Sequence, residues 1–321
     1  MRRVELIRTI GTYGVVIALA ALVLFGFLRY DRFLSTFNVM SVLRYNSMFA
    51  LVSLGMCFVI MTGGIDLSVG AVAAMGSVAS ALASPYGLAP GLAAGVFVGL
   101  AAGAINGLLV TRAHLLPFIA TLATMLAASG TALLLAGNQT VSVSYDSGFI
   151  AFGQGNFSIF PVPAVFALLA YMLGSVVLNF TSFGRTVLAI GGGEDATRLM
   201  GLEADRVKFI VYLASGGLAG LAGVILAAQF GAGQPIEGVG WELFAIASVV
   251  VGGTLLTGGM GSVGTTLAGV LLLGILFNVL NFENGLGWIS LSAYWQSVIR
   301  GLFLLVVVIL QAKLAGTRVA I

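Results

Sequence analysis

Uncharged apolar runs of about 20 residues recur along this chain, and nothing else in the sequence restricts its fold as much. The first runs from Thr9 to Leu28. A helix of about 20 residues crosses the hydrocarbon core of a bilayer. Inside that core every backbone N–H and C=O must be satisfied within the segment, which a helix does. Charges, glycines and prolines divide the sequence into ten such runs, at about 9–28, 39–61, 65–84, 90–111, 116–136, 162–180, 208–228, 241–257, 262–281 and 292–312. The prolines, Pro85, Pro90, Pro117, Pro161, Pro163 and Pro235, all fall at or near run ends, where a missing N–H costs least. The expected fold is all-α: a polytopic membrane protein of about ten transmembrane helices, some short or broken near the centre, in one domain over residues 1–321.

Composition agrees. Of 321 residues, 60% are apolar and 8% charged, and the mean hydropathy is +1.12. A soluble domain carries about 25% charged residues. The 45 glycines suit close approach between membrane helices. A net charge of +3 gives no reason to expect a nucleic-acid partner. The single cysteine, Cys57, can form no intramolecular disulfide, and the single histidine, His114, excludes a multi-histidine metal or haem centre. There is no Gly-x-Ser-x-Gly elbow, no His-Glu-x-x-His and no phosphate loop ending in Gly-Lys-Ser/Thr. The chain is therefore expected to be no enzyme and to need no cofactor. The first run is too long for a signal-peptide core and lacks a small-residue cleavage site after it, so it is read as a retained span.

Lysine and arginine set the expected orientation. With a cytoplasmic N-terminus, Arg2, Arg3, Arg8, Arg112, Arg185, Arg198, Arg206, Lys208, Lys313 and Arg318 are all inside. Arg29 and Arg32 are outside, Arg44 is near that side, and Arg300 lies within the last span. Ten spans return the C-terminus to the cytoplasm. The longest outside loop is then about 137–161, and the longest inside loop about 181–207.

Two glycines and a carboxylate interrupt the apolar sequence at Thr62-Gly63-Gly64-Ile65-Asp66-Leu67-Ser68-Val69-Gly70. Glycine weakens a helix and a charge is costly in hydrocarbon. Asp66, and less strongly Ser68, can cap the following helix by accepting backbone N–H bonds; either can instead line a transport path. Glu242, after Gly238-Val239-Gly240-Trp241, presents the same two readings. Asn46, Asn106, Gln229, Asn278 and Gln296 are uncharged polar residues at or within spans, where bonds between helices are the default. Asp66, Ser68, Asn46, Asn106 and Glu242 are the candidate path residues. The break also has an echo, Thr257-Gly258-Gly259-Met260-Gly261-Ser262-Val263-Gly264, of the kind that internal repeats leave in transporters. In the inside loop, Glu194 and Asp195 favour a helix N-terminus, Ala196 to Met200 form helix, and Gly201 ends it. This short helix presents Leu199 and Met200, either to lipid headgroups or to a cytoplasmic partner.

The stretch Gly63-Gly64-Ile65-Asp66-Leu67-Ser68-Val69-Gly70 resembles the signature of sugar permeases in bacterial ABC importers, the ribose/xylose/galactose/galactofuranose group. The likeness continues through Asn106-Gly107-Leu108-Leu109, Leu116-Pro117-Phe118-Ile119-Ala120-Thr121-Leu122, Phe183-Gly184-Arg185, Ala189-Ile190-Gly191-Gly192, Arg198-Leu199-Met200-Gly201, Glu242-Leu243 and Gly252-Gly253-Thr254 with Gly258-Gly259-Met260-Gly261-Ser262. The tail from Asn281-Phe282-Glu283 through Trp295, with Ala245 to Leu256, looks closest to galactofuranose-type permeases. Glu194 stands where the family usually has Asn, and Phe244 where Asp is common. The resemblance implies a permease subunit in the bacterial inner membrane, both termini cytoplasmic, carrying a pentose or hexose. It implies a second permease chain, cytoplasmic ATP-binding subunits that hydrolyse the ATP, and a periplasmic sugar-binding protein that supplies most of the selectivity. The segment at about 190–207, with Glu194, Asp195, Arg198, Leu199, Met200 and Gly201, would couple to the ATPase. The rival reading is a self-sufficient secondary transporter or channel for a small polar solute, with Asp66 as its titratable group.

Overall fold

A computed structural model describes residues 2–285 and, beyond them, 295, 298, 299, 301, 302 and 305, with side chains from Gly14 onward. Arg300 and most of the expected last span at 292–312 lie outside the described residues, as do Gln296, Lys313 and Arg318. The helices are α1 (Arg2–Arg29), α2 (Thr36–Met61), α3 (Val69–Ala83), α4 (Leu88–Thr111), α5 (Pro117–Leu135), α6 (Phe149–Gln154), α7 (Val162–Phe180), α8 (Ser182–Gly192), α9 (Glu194–Leu199), α10 (Ala204–Phe230), α11 (Trp241–Val251) and α12 (Val263–Gly285). The chain is an all-α polytopic membrane protein. Among the described residues seven helices are long and apolar enough to cross a membrane, those beginning at Thr36, Val69, Leu88, Pro117, Val162, Ala204 and Val263. Helix α1 covers the first expected span, and its part with described side chains, Gly14–Arg29, is apolar.

The expected span at 241–257 is not a complete one. Helix α11 holds 11 residues, about 16 Å at 1.5 Å per residue, against a hydrocarbon core of about 30 Å. It stops because Gly253, at φ 88°, takes a left-handed conformation that ends the helix. The chain then turns through Gly258 and Gly259 and returns as α12. The span expected at 65–84 starts its helix only at Val69, because Thr62 to Ser68 form a turn.

Helix α2 is the hub. From Asn46 to Met61 every side chain is buried except Phe58. Helices α3, α7, α8, α10, α11 and α12 pack around it or against one another. Against α3, α4 and α10 the packing rests on small residues. Gly91, Gly95, Gly99, Gly103 and Gly107 recur every fourth position of α4 and so lie on one face. A Cβ at Gly99 would sit 2.8 Å from Gly220 Cα, and one at Gly216 would sit 2.7 Å from Gly103 Cα. The two backbones are in contact, which is the geometry that small residues at every fourth position permit.

Helices α2 and α11 run parallel. Phe49, midway along α2, packs on Trp241 and Phe244 in the first turn of α11, with ring centroids 4.8 and 4.3 Å apart. Beyond their ends Gly259 N–H donates to Met61 O at 3.0 Å. At the starting end lie the 137–161 loop and the 229–240 turn. These are tied by an antiparallel ladder of Val141–Ser142 on Ala232–Gly233. At the other end lie α8 and α9.

Candidate functional site

A cavity of about 980 Å³ lies between α2, α11, α12 and the 229–240 turn. It extends along α2 from Ser41 to Phe49, about 12 Å of helix. Two kinds of wall line it. One is aromatic: Phe49, Trp241, Phe244 and Phe277 form a continuous series of ring contacts, with Phe244 and Phe277 5.6 Å apart. The other is polar. Among the described residues it carries the amides Asn46, Gln154, Gln229, Asn278 and Asn281, with the cation Arg44 and the anion Glu237. Several of these are engaged: Asn278 and Asn38 exchange side-chain bonds at 2.8 and 3.1 Å, Gln154 Nε2 donates to Gln229 O at 3.0 Å, and Arg44 Nη2 donates to Asn156 Oδ1 at 2.9 Å. Three buried atoms of these residues have no hydrogen-bond partner among the described residues: Asn46 Oδ1, Gln229 Oε1 and Arg44 Nε.

Of the candidate path residues, Asn46 lines this cavity. Glu242 stands beside it on α11 with its carboxylate against Gly70, where a Cβ would lie 3.0 Å from Oε2. Asp66, Ser68 and Asn106 are gathered elsewhere, near the far end of α2. Asp66 Oδ1 accepts from Ser68 N–H at 3.0 Å and Ser68 Oγ at 2.6 Å, and Oδ2 accepts from Ser215 Oγ of α10 at 2.9 Å. Asn106 Nδ2 of α4 donates to Ser68 Oγ at 2.9 Å, and Leu67 N–H donates to Thr121 Oγ1 of α5 at 3.1 Å. One turn thus joins α3, α4, α5 and α10, and Asp66 is 1% exposed.

At the far end, α9 buries Thr197 and turns its other side outward. Leu199 is 89% exposed and Met200 66%. Asp195 is exposed beside them, and Gly201, at φ 78°, closes the helix. Glu194 and Arg198 instead turn back. Arg198 binds Asp205 at 2.6 and 2.9 Å and Glu194 at 2.9 Å, while Lys208 of α10 binds Glu194 at 2.8 Å. Partial burial raises the Glu194 carboxyl, but bonds from Lys208 and Arg198 outweigh it and hold that group below its usual range.

The end of α8 meets the two echoing turns. A Cβ at Gly258 would lie 2.8 Å from Gly63 N and 3.0 Å from Gly191 Cα, and one at Gly259 would lie 2.9 Å from Gly192 N. At Gly191 a Cβ would collide with Met61 O and Gly259 N. Three backbones touch with no side chain between them. The Gly63-Gly64 and Gly258-Gly259 breaks, 195 positions apart in sequence, are in contact with each other and with the segment leading to α9.

Sequence reasoning singled out Asn46, Gln229 and Asn278 as polar residues at or within spans, without joining them. Phe49 and Phe277 gave no signal, since aromatic residues are common throughout the apolar runs. Arg44 was noted only for its side of the membrane.

Residues 38–308 match the family described as the branched-chain amino acid transport system / permease component. The chain is 41% identical to the ribose import permease protein of Bacillus subtilis over 303 residues, 94% of this chain and 92% of that protein. It is 35% identical to the L-arabinose transport system permease protein of Escherichia coli over 299 residues, 92% and 89% of the two chains. It is also 35% identical to the D-allose transport system permease protein of Escherichia coli over 294 residues, 90% and 88%. No solved structure matches.

Proposed function

The chain belongs to the branched-chain amino acid transport system / permease component family, and on that premise we propose that it is the membrane subunit of an ATP-binding-cassette importer that carries a monosaccharide across the bacterial inner membrane. Sugar rather than amino acid is the cargo because the relatives that cover nine-tenths of the chain are named for ribose, L-arabinose and D-allose. A pentose or hexose is the cargo class. The galactofuranose reading rests on the tail from Asn281 through Trp295 with Ala245 to Leu256, and is the weaker choice beside those three names.

The subunit works with a second permease chain, cytoplasmic ATP-binding subunits and a periplasmic sugar-binding protein. Lipid surrounds its apolar exterior, and both termini are cytoplasmic. The observation that carries this reading is the placement of the cavity and of α9 at opposite ends of two parallel helices. The binding protein delivers sugar at the 137–161 and 229–240 end. The ATPase grips the exposed Leu199 and Met200 on α9. Its closure moves α8, and the glycine contacts at Gly191, Gly258 and Gly259 pass that motion to the turn that continues into α11. Because backbone bears on backbone, there is no side chain whose rotation could absorb the displacement. Shifting α11 against α2 reshapes the cavity between them. Asp66 braces the turn and does not exchange protons with cargo, since both its oxygens are occupied by hydroxyl or amide donors.

Reconstitution into liposomes with the partner ATPase and binding protein tests the reading. Sugar uptake should require both partners and ATP. Uptake by the chain alone, driven by a proton or sodium gradient, would establish the secondary-transporter reading instead.

A further inference from the structure

We propose that the hairpin of residues 156–161 is an anchor in the headgroup layer of the bilayer, with Phe157, Ile159 and Phe160 lying against lipid at the start of α7. The proposal needs only the membrane fold, so it stands or falls apart from the cargo.

Three observations carry it. The first is how the hairpin divides its two faces. Phe157 pairs with Phe160 and Asn156 with Pro161, antiparallel. Successive residues of a strand point to opposite faces, so Asn156 and Pro161 share one face and Phe157 and Phe160 the other. Protein takes the first face: Pro161 is buried, and Asn156 Oδ1 accepts from Arg44 Nη2 of α2 at 2.9 Å. The second face is open. Phe157 is 72% exposed, Phe160 50%, and Ile159 in the turn 66%. Ser158, at φ 58°, takes the left-handed conformation that a two-residue hairpin turn demands, which keeps the hairpin short.

The second is depth. Helix α7 holds 19 residues, about 28 Å at 1.5 Å per residue, against a hydrocarbon core of about 30 Å. Val162, its first residue, therefore lies at the edge of that core. The hairpin is fastened there, because Val162 N–H donates to Gly155 O at 3.0 Å. From Pro161 to Ile159 the chain reaches at most about 7 Å, at about 3.3 Å per residue. The headgroup layer is about 5–8 Å thick on each side of the core. Whatever its tilt, the hairpin stays within or beside that layer.

The third is chemistry. No charged residue occurs between Asp146 and Arg185, and the exposed side chains that follow on α7, such as Phe166, Leu169 and Met172, are apolar. A surface that receives a soluble protein carries a polar rim. The neighbouring 229–240 turn, with Gln234 and Glu237, fits that description better than the hairpin does. Exposed aromatic and aliphatic side chains at the headgroup boundary gain by dipping into it. The anchor holds the start of α7 at a fixed depth and, through Asn156 and Arg44, ties α2 beside the cavity to the membrane surface.

Spin labels read this depth directly. Cys57 is buried and so is withheld from label in the folded chain. Ile159→Cys, Phe157→Cys and Asp146→Cys can then each be labelled singly in the full chain in lipid nanodiscs. Oxygen concentrates in apolar surroundings and a nickel chelate in water. The exposed Asp146 marks the aqueous side. Labels at 157 and 159 should show an oxygen-to-nickel collision ratio several-fold above that at 146. A ratio equal to that at 146 would overturn the anchor and give the hairpin to a soluble partner. Weak collision with both reagents would place a second copy of the chain on this face and would overturn it equally. Two label sites on the hairpin keep the test decisive if one substitution fails to fold. Neither sugar nor ATPase is present, so failure of the importer reading would leave the result unchanged.

Discussion

Replacing Asp66 separates a brace from a transport group. The carboxylate receives three hydrogen bonds, from Ser68 N–H, Ser68 Oγ and Ser215 Oγ, in a site that is 1% exposed. Asp66→Leu leaves all three donors without that acceptor. Ser215 lies within α10 and can turn its hydroxyl to a carbonyl one helical turn back. Ser68 begins α3 and has no preceding turn to use, so its N–H and hydroxyl stay unsatisfied. At about 1–3 kcal/mol each, the two amount to about 4 kcal/mol, a large share of the 5–15 kcal/mol typical of a folded domain. That corresponds to a fall in melting temperature on the order of 10 °C. Asp66→Asn keeps an oxygen for Ser68 and offers an N–H to Ser215 Oγ, which can accept, so its cost should stay below about 1 kcal/mol. Cys57 is the only cysteine and is fully buried. Unfolding can therefore be followed by a thiol-reactive fluorescent maleimide as the temperature rises. Asp66→Leu should label at markedly lower temperature, and Asp66→Asn should label as the unmodified chain does and support near-normal uptake in the assembled importer. If Asp66→Asn abolished uptake with melting unchanged, the charge would be required in the path and the bracing account would be wrong. Melting of Asp66→Leu within 2 °C of the unmodified chain, at roughly the precision of such a scan, would refute the magnitude.

The same thiol assay should show Gly99→Val destabilised by about 1–3 kcal/mol, the usual cost of overpacking, because its side chain has no space against Gly216 and Gly220; unchanged melting would mean that α4 and α10 are not in backbone contact. Charging the exposed knob with Leu199→Glu and Met200→Glu should abolish co-purification of the ATPase while the chain still inserts and melts normally, and full retention of the ATPase would remove α9 from the coupling role. The Glu194 carboxyl is held below its ordinary value of 4.5 by Lys208 and Arg198, so its contribution to the α9 brace is complete above that value and lost as pH falls through the lower folded one. Amide exchange in residues 194–200, corrected for intrinsic rates, should therefore be flat from pH 7 to about 5 and rise only at more acid pH, and Glu194→Gln should remove that acid step; a step near neutrality would refute the assignment.

Much of the architecture was legible along the chain. Runs such as Ala204 to Phe230 declare themselves as helices because an apolar segment in lipid has to satisfy its backbone internally. The breaks at Gly63-Gly64 and Gly258-Gly259 were visible for the converse reason, and so was the short helix ending at Gly201. The failure at 241–257 is instructive. Its composition is as apolar as a true span, and only the left-handed Gly253 shows that the helix stops halfway. The candidate path residues illustrate a second limit. Asp66, Asn106 and Asn46 are all polar positions in apolar surroundings, yet Asp66 and Asn106 belong to one bonded turn and Asn46 to a cavity near the other end of α2. Nothing local distinguishes them, because what differs is the partner, and Ser215 lies 149 residues from Asp66.

Sequence by itself determined that this chain is a bundle of membrane helices with glycine breaks and a short exposed helix, since run length, charge and backbone satisfaction act over a few turns of chain. Only the tertiary structure decided that the two breaks touch each other and the segment before α9, and that α2 and α11 flank a cavity. Those outcomes depend on which backbones approach closely enough to exclude a side chain, a property of pairs of segments far apart in sequence.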